Sequence, residues 1–237
     1  MRVAELWRYP VKSLQGERLD VAELGPRGLH GDREYALFDV ATGFGLTARR
    51  DPDLLFAAAR LRADGSVEIT LPDGSVAADD DALSAWIGRP VRLRATGEVA
   101  DRRYENPEDI EAEAPDSWYV FEGTSGAFHD SVAVTLLSRA STDADPRRFR
   151  ANIVLDADAP GAEDGLVGTT VQLGGALIDV TARVPRCVLV TRPQPGGIAL
   201  DREVLRRVHR ERGGRLAVGG RVARPGTVRP GDEVVPG

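Results

Sequence analysis

The chain is poor in several residues that commonly advertise function. It holds one cysteine, Cys187, one methionine (the first residue), one lysine, Lys12, and two asparagines, Asn106 and Asn152. A single cysteine excludes an intrachain disulfide and a self-contained cysteine-ligated iron–sulfur cluster. No apolar run approaches the roughly 18 residues a membrane helix needs. Residues 1–10 carry Arg2, Glu5 and Arg8 where a secretory leader would have an apolar core. The histidines His30, His129 and His209 lack the spacing of a metal site. A GxxxxGK[ST] loop, an HExxH pair and a GxGxxG turn after a strand are all missing, so direct binding of a reduced nicotinamide is not expected. The net charge of -6 argues against nucleic acid, whose binders show a basic face. These absences lead us to expect a cytoplasmic protein with no nucleic-acid and no membrane partner.

What is present reads as ordinary globular protein, long enough for one large domain or two small ones, each with a core. Only Lys12 among the 31 basic residues is a lysine. Codon bias accounts for most of that skew. Even so, a lysine that survives where arginine is favoured points to a place needing a compact ammonium rather than a planar guanidinium.

Short strands and tight turns dominate the pattern. Strands are expected over residues 3–7, 18–24, 34–40, 54–61, 67–71 and 91–94, with Asp64-Gly65 and Asp73-Gly74 as hairpin turns. A short helix is expected at 82–87, capped by the acidic run at 79–81 and ended by Gly88. Residues 105–116, ENPEDIEAEAPD, are acidic with two prolines and read as an exposed connection carrying the main boundary near its end. Further strands are expected at 131–137, with a short helical stretch after it, and at 150–155, 170–173, 177–184, 187–191 and 215–222. A helix fits 202–212, where Val204, Leu205 and Val208 share a face. Glycine and proline recur at the joints, as in barrel-like β architectures.

Several segments, in order, resemble a known family. YPVKSLQGE at 9–17, GLHGDREYALFD at 28–39 and TGFGLTARRDPDL at 42–54 are similar to the N-terminal β-barrel domain that precedes MOSC domains, named after the C-terminal domain of molybdenum cofactor sulfurases. FHDSVAVTLLS at 128–138, RFRANIVLD at 148–156, VPRCVLVT at 184–191 and RPGTVRPGDEV at 224–234 resemble the MOSC domain itself. The arrangement resembles that of the mitochondrial amidoxime-reducing component and its bacterial counterparts. The resemblance implies a β-rich α+β fold: an N-terminal β-barrel-like domain over 1–115, then a MOSC β-barrel domain over 116–237, with a few short helices. It implies a molybdenum–molybdopterin cofactor whose metal is ligated by the cysteine of the PRC segment, Cys187. It also implies reduction of small N-hydroxylated compounds such as amidoximes and N-hydroxylated base analogues. Relatives with a membrane anchor or a ferredoxin domain carry segments that this sequence does not show. With no flavin or iron–sulfur module of its own, such a reductase is expected to draw electrons from a separate donor protein.

The residues themselves allow that chemistry without requiring it. A thiolate is a soft anionic ligand for a transition metal, and Arg186 beside Cys187 supplies positive charge; the alternative is a small core hydrophobe followed by Val188, Leu189 and Val190. A pterin cofactor needs cations for its phosphate and fixed polar groups for its ring. Lys12 and Ser13 offer an ammonium and a hydroxyl, and Arg33 a bidentate fork, against plain solvation or a surface ion pair as alternatives. Arg150 and Asn152, two apart on an expected strand, would share one face and suit a cofactor wall, or else a solvated edge. Ser131 and Arg186 match positions that contact the cofactor in the relatives. Asp130 suits a turn cap, and His129 a packed or proton-shuttling group. Carriage of a persulfide on Cys187, or of the cofactor itself for delivery, is the alternative to catalysis.

Overall fold

The computed structural model describes residues 1–108, 117–123 and 126–237. The first half contributes β1 (Arg2–Arg8), β2 (Glu17–Leu19), β3 (Ala22–Gly25), β4 (Gly28–Leu29), β5 (Tyr35–Asp39), β6 (Ala58–Leu61), β7 (Val67–Thr70), helix α1 (Asp80–Ile87) and β8 (Val91–Ala95). A hairpin of β9 (Arg103–Pro107) and β10 (Trp118–Glu122) follows. The second half contributes β11 (Val134–Ser138), β12 (Ile153–Asp156), β13 (Thr170–Leu173), β14 (Ala176–Pro185), helix α2 (Glu203–Arg212), β15 (Arg215–Arg224), β16 (Gly226–Val228) and β17 (Val234–Pro236). The architecture is the β-rich one expected, with two short α-helices among the described residues.

The largest sheet runs β17-β13-β14-β15-β11-β12-β1-β2 and interlocks the two ends of the chain. Strand β1, from the N-terminus, lies antiparallel to β12, and β3 pairs with β16 near the C-terminus. Its inner face holds a continuous core of aliphatics such as Leu6, Leu136, Ile153, Leu173, Ile178 and Val218. A second core, built on Val11, Leu37, Leu54, Leu55 and Ile69, fills the first half. Strands β14 and β15 pair antiparallel with a register shift after Val180↔Gly220, and a Cβ on Gly220 would stand 1.8 Å from the Asp179 carbonyl oxygen.

Local chemistry explains the helices. Asp79 accepts a hydrogen bond from Ala82 N at 2.9 Å, and Gly88 closes α1 in the left-handed region at φ 78. Helix α2 buries Val204 and Val208 against the segment that follows Cys187. Among the described residues no helix is long and apolar enough to cross a membrane.

Four expectations need correction. Residues 54–61 are not one strand: Pro52 starts a 3-10 turn, Pro52–Phe56, in which adjacent Leu54 and Leu55 both bury, and pairing begins only at Ala58. The apolar run at 187–191 is likewise a 3-10 turn, Val188–Thr191, with Cys187 as its N-cap. Arg150 is not on a strand but closes the 3-10 turn Pro146–Phe149 in the left-handed region, and β12 begins only at Ile153. Finally, 105–107 belong to β9 rather than to an exposed connection. Strand alternation turns Tyr104 and Asn106 inward, where Tyr104 stacks on Phe121 at 5.1 Å. Residues 109–116 of that expected connection lie outside the described residues. A smaller difference is the expected strand at 18–24, which splits into β2 and β3 at Asp20 and Val21.

Candidate functional site

A cavity of about 480 Å³ opens between the two halves of the chain. Lys12, Ser13, Arg33, Ser131, Arg150, Asn152, Arg186 and Cys187, the residues singled out in the sequence, all line it. Their routes there differ from simple strand alternation. Ser13, Arg33 and Arg150 adopt positive φ of 70, 49 and 52, and only Ala217 shares that conformation among the described non-glycine residues. Side chains with a Cβ avoid this region at a cost of about 1–3 kcal/mol, and such outliers concentrate at functional sites.

The cationic side of the cavity is built around a buried anion. Asp32, with its side chain wholly buried, accepts from Tyr9 N at 2.7 Å and Arg33 Nη1 at 2.5 Å, with His129 Nε2 at 3.2 Å. Desolvation would raise its pKa, but Arg33, His129 and the Tyr9 amide outweigh burial and bring it down to about 2. Arg33 Nη2 donates to the Arg150 carbonyl at 3.1 Å, and both guanidiniums lie over the Tyr9 ring, at 4.7 and 4.3 Å from its centroid. Arg150 Nη1 donates to Leu14 O at 2.5 Å. Arg186 is pinned by Nε to Leu216 O at 2.8 Å and Nη1 to Phe149 O at 2.9 Å.

The same two arginines carry an unmet demand. Nη2 of Arg150 and Nη2 of Arg186 are buried with no hydrogen-bond partner among the described residues. Desolvation lowers both side chains to about 10, Arg33 adding to the effect at Arg150. Both remain charged at neutral pH, so the cavity wall holds buried cations short of counter-charge.

Lys12 is not solvated, as its alternative reading had it, but only 6% exposed. Its ammonium pairs with Asp130, donates to Phe128 O at 3.3 Å and sits 4.9 Å from the Tyr104 ring centroid. Asp130 therefore pairs rather than caps a turn; its side chain is 82% exposed, so desolvation opposes its ionisation little and the Lys12 ammonium lowers its pKa. Ser13 Oγ accepts from Ala48 N at 3.0 Å. Asn152 is occupied by the framework: Oδ1 accepts from Thr135 N and Oγ1 at 3.2 and 3.1 Å, and Nδ2 donates to Trp7 O at 3.3 Å. Ser131 is exposed at the cavity.

Cys187 is half-buried and lines the cavity, rather than being sealed in the core. Facing it is a residue the sequence reading did not separate from its neighbours, Arg49. Burial acts to lower the Arg49 pKa, but hydrogen bonding and charge at Cys187, and then at Tyr119, raise it. Its Nη1 also donates to the Tyr119 hydroxyl. Adjacent Arg50 turns the other way, to Glu105 at 2.5 Å and the Trp118 ring. Asn106, Thr47, Tyr119 and Phe121 are further lining residues missed in the sequence. Asn106 carried one signal: like Lys12, Cys187 and Asn152, it belongs to a residue type that this chain almost lacks.

The comparisons with known proteins follow the two halves of this architecture. Residues 1–98 match the MOSC N-terminal beta barrel domain, and residues 128–235 match the MOSC domain. The chain is a MOSC protein. This MOSC chain is 25% identical over 234 residues to mitochondrial amidoxime reducing component 2 of Bos taurus, covering 85% of the chain and 69% of that protein. The YUAD protein from Bacillus subtilis aligns over 98% of the chain and 93% of its own, at 12% identity and a TM-score of 0.43. YiiM from Geobacillus stearothermophilus aligns over 50% of the chain and 67% of its own, at 15% identity and a TM-score of 0.33.

The donor set of the MOSC cavity suits an anionic, metal-bearing cofactor. Among the described residues six cations, Lys12, Arg33, Arg49, Arg148, Arg150 and Arg186, line it against one carboxylate, Asp130, in a chain whose net charge is -6. Among the described residues no group of three or more His, Cys, Asp or Glu is placed to hold a metal ion.

Proposed function

We propose that the chain binds a molybdenum–molybdopterin cofactor through Cys187 and reduces small N-hydroxylated compounds with electrons delivered by a separate protein. The observation that carries this reading is the half-buried lone cysteine in a 480 Å³ cavity with six cations, two of them with buried Nη2 groups unpartnered among the described residues. The amidoxime reductase named among its relatives supports the choice of substrate.

Cys187 offers a soft anionic ligand at the cavity wall, next to the Arg186 guanidinium. Lys12, Arg33, Arg150 and Arg186 supply the positive charge for a phosphate, with Ser13 and Ser131 as hydroxyls. Arg33 and Arg150 are held over Tyr9 and by main-chain or Asp32 oxygens, so little ordering is left for binding. Asn152 fixes the wall through Thr135 and Trp7. The bound cofactor would supply two-electron, oxygen-accepting redox chemistry. For an amidoxime the balance is cleavage of the N–O bond, uptake of two electrons and two protons, and release of an amidine and water.

The test is amidoxime reduction by the cofactor-loaded protein with a chemical one-electron donor: amidine formation is expected. Loaded protein that forms none from any N-hydroxylated compound would overturn the reaction. NADH oxidation by the protein alone would overturn the need for a separate donor protein. The half-exposure of Cys187 also favours a second reading, carriage of sulfur as a persulfide or of the cofactor itself. Cyanide-labile sulfur on Cys187 in molybdenum-free protein would favour carriage over catalysis.

A further inference from the structure

The cavity has two unlike sides. On one, Arg33, Arg150 and Arg186 are fixed by Asp32 and by main-chain carbonyls. Elsewhere the lining combines two polar side chains, Arg49 and Asn106, with the aromatic rings of Tyr119 and Phe121. Arg49 has no ion pair with a carboxylate among the described residues; its Nη1 donates to the Tyr119 hydroxyl, and it lines the cavity together with Cys187. Asn106, 1% exposed, accepts through Oδ1 from Thr47 Oγ1 at 2.7 Å and lines the cavity. The alternation of β10 brings Tyr119 and Phe121 to the cavity together, with their centroids 6.2 Å apart and Phe121 stacked on Tyr104.

We propose that Arg49 and Asn106, backed by the Tyr119 and Phe121 rings, form the substrate-orienting wall for flat N-hydroxylated compounds. The inference rests on the reductase reading above and names residues that hold the substrate rather than the cofactor. A hydroxyimino oxygen accepts hydrogen bonds, and Arg49 has spare guanidinium N–H groups beside the sulfur that would ligate the metal. The same donors stabilise negative charge that develops on this oxygen as the N–O bond breaks. The electrons come from the donor protein, the protons from solvent, and the oxygen leaves as water. The Asn106 amide supplies a second fixed donor, and the rings offer a flat face for an aryl or heteroaryl body. Arg50, one residue on, cannot serve, because Glu105 and Trp118 hold it away.

The experiment uses protein made in cells that produce the cofactor, as wild type, Arg49→Ala, Arg49→Lys and Asn106→Ala. Molybdenum and pterin are measured in each sample, with calorimetric binding of benzamidoxime and its reduction kinetics. Loss of a charge-assisted hydrogen bond predicts that Arg49→Ala weakens benzamidoxime binding about tenfold or more. KM should rise and kcat fall while molybdenum content stays at the wild-type level. Arg49→Lys should recover only part of the loss, because a point charge lacks the fork. Unchanged binding and kinetics in Arg49→Ala, with molybdenum retained, would overturn the wall and leave the cofactor reading standing. Loss of molybdenum from Arg49→Ala would also overturn it, by assigning Arg49 to the cofactor. Wild-type protein without molybdenum would overturn the cofactor reading instead, and benzamidoxime binding alone would then judge the wall.

Discussion

Replacing Asp32 by asparagine isolates the device that assembles the cationic side of the cavity. The carboxylate is fully buried, and three donors converge on it from Tyr9, Arg33 and His129. Its pKa of about 2, against an ordinary value of 3.8, corresponds to roughly 2–3 kcal/mol of folded-state stability, at about 1.4 kcal/mol per tenfold change in proton affinity. An Asp32→Asn side chain keeps the shape but leaves Arg33 largely buried without its counter-ion, which typically costs about 3–5 kcal/mol. Denaturant unfolding near pH 7 should therefore show the variant less stable by about 3 kcal/mol. Because the folded pKa is depressed, the carboxylate's contribution is fully present above pH 4 and is lost as pH falls towards 2. The gap between the two proteins should shrink over that window. A gap below about 1 kcal/mol at pH 7, or one that widens on acidification, would refute the assignment of Asp32 as the organising anion.

Further outcomes follow from the same geometry. Arg150→Ala and Arg186→Ala should each lower cofactor retention at least about tenfold, since each removes a buried cation from the wall; retention equal to wild type after gel filtration would contradict this. Gly220→Ala forces a Cβ to 1.8 Å from the Asp179 carbonyl oxygen. Backbone must move, so a loss of about 3 kcal/mol or more is expected. At roughly 2–4 °C per kcal/mol for a chain of this size, thermal melting should fall by several degrees or more, and an unchanged Tm would contradict the close approach of Gly220 to the Asp179 carbonyl.

The sequence was most legible where local chemistry is self-sufficient. Asp79 and Gly88 mark the ends of α1 by capping alone, and the Asp64-Gly65 turn marks the β6–β7 hairpin. It was least legible where tertiary packing decides. Leu54 and Leu55 read as strand by composition, yet Pro52 and burial of adjacent side chains favour a 3-10 turn. Arg150 and Asn152 reach the cavity as expected, but through a left-handed turn residue and a bend rather than through strand alternation. No periodicity encodes that. The interlocking of β1 with β12 and of β3 with β16 joins residues that the chain separates by well over a hundred positions, so strand patterns alone cannot reveal it. Scarcity proved informative in a different way: the lone lysine, the lone cysteine and both asparagines converge on one cavity. Arginine is so abundant that Arg49 could not be told from Arg50 until the fold turned them apart.

The chemistry of this cavity turns on what Cys187 binds. Protein produced in cells that make the cofactor, as wild type and as Cys187→Ser, should be analysed for molybdenum and pterin against chain concentration. Close to one molybdenum and one pterin per wild-type chain are expected, with loss of the molybdenum from a Cys187→Ser variant whose circular dichroism is unchanged. Equal molybdenum in both proteins, or none in the wild type, would contradict this.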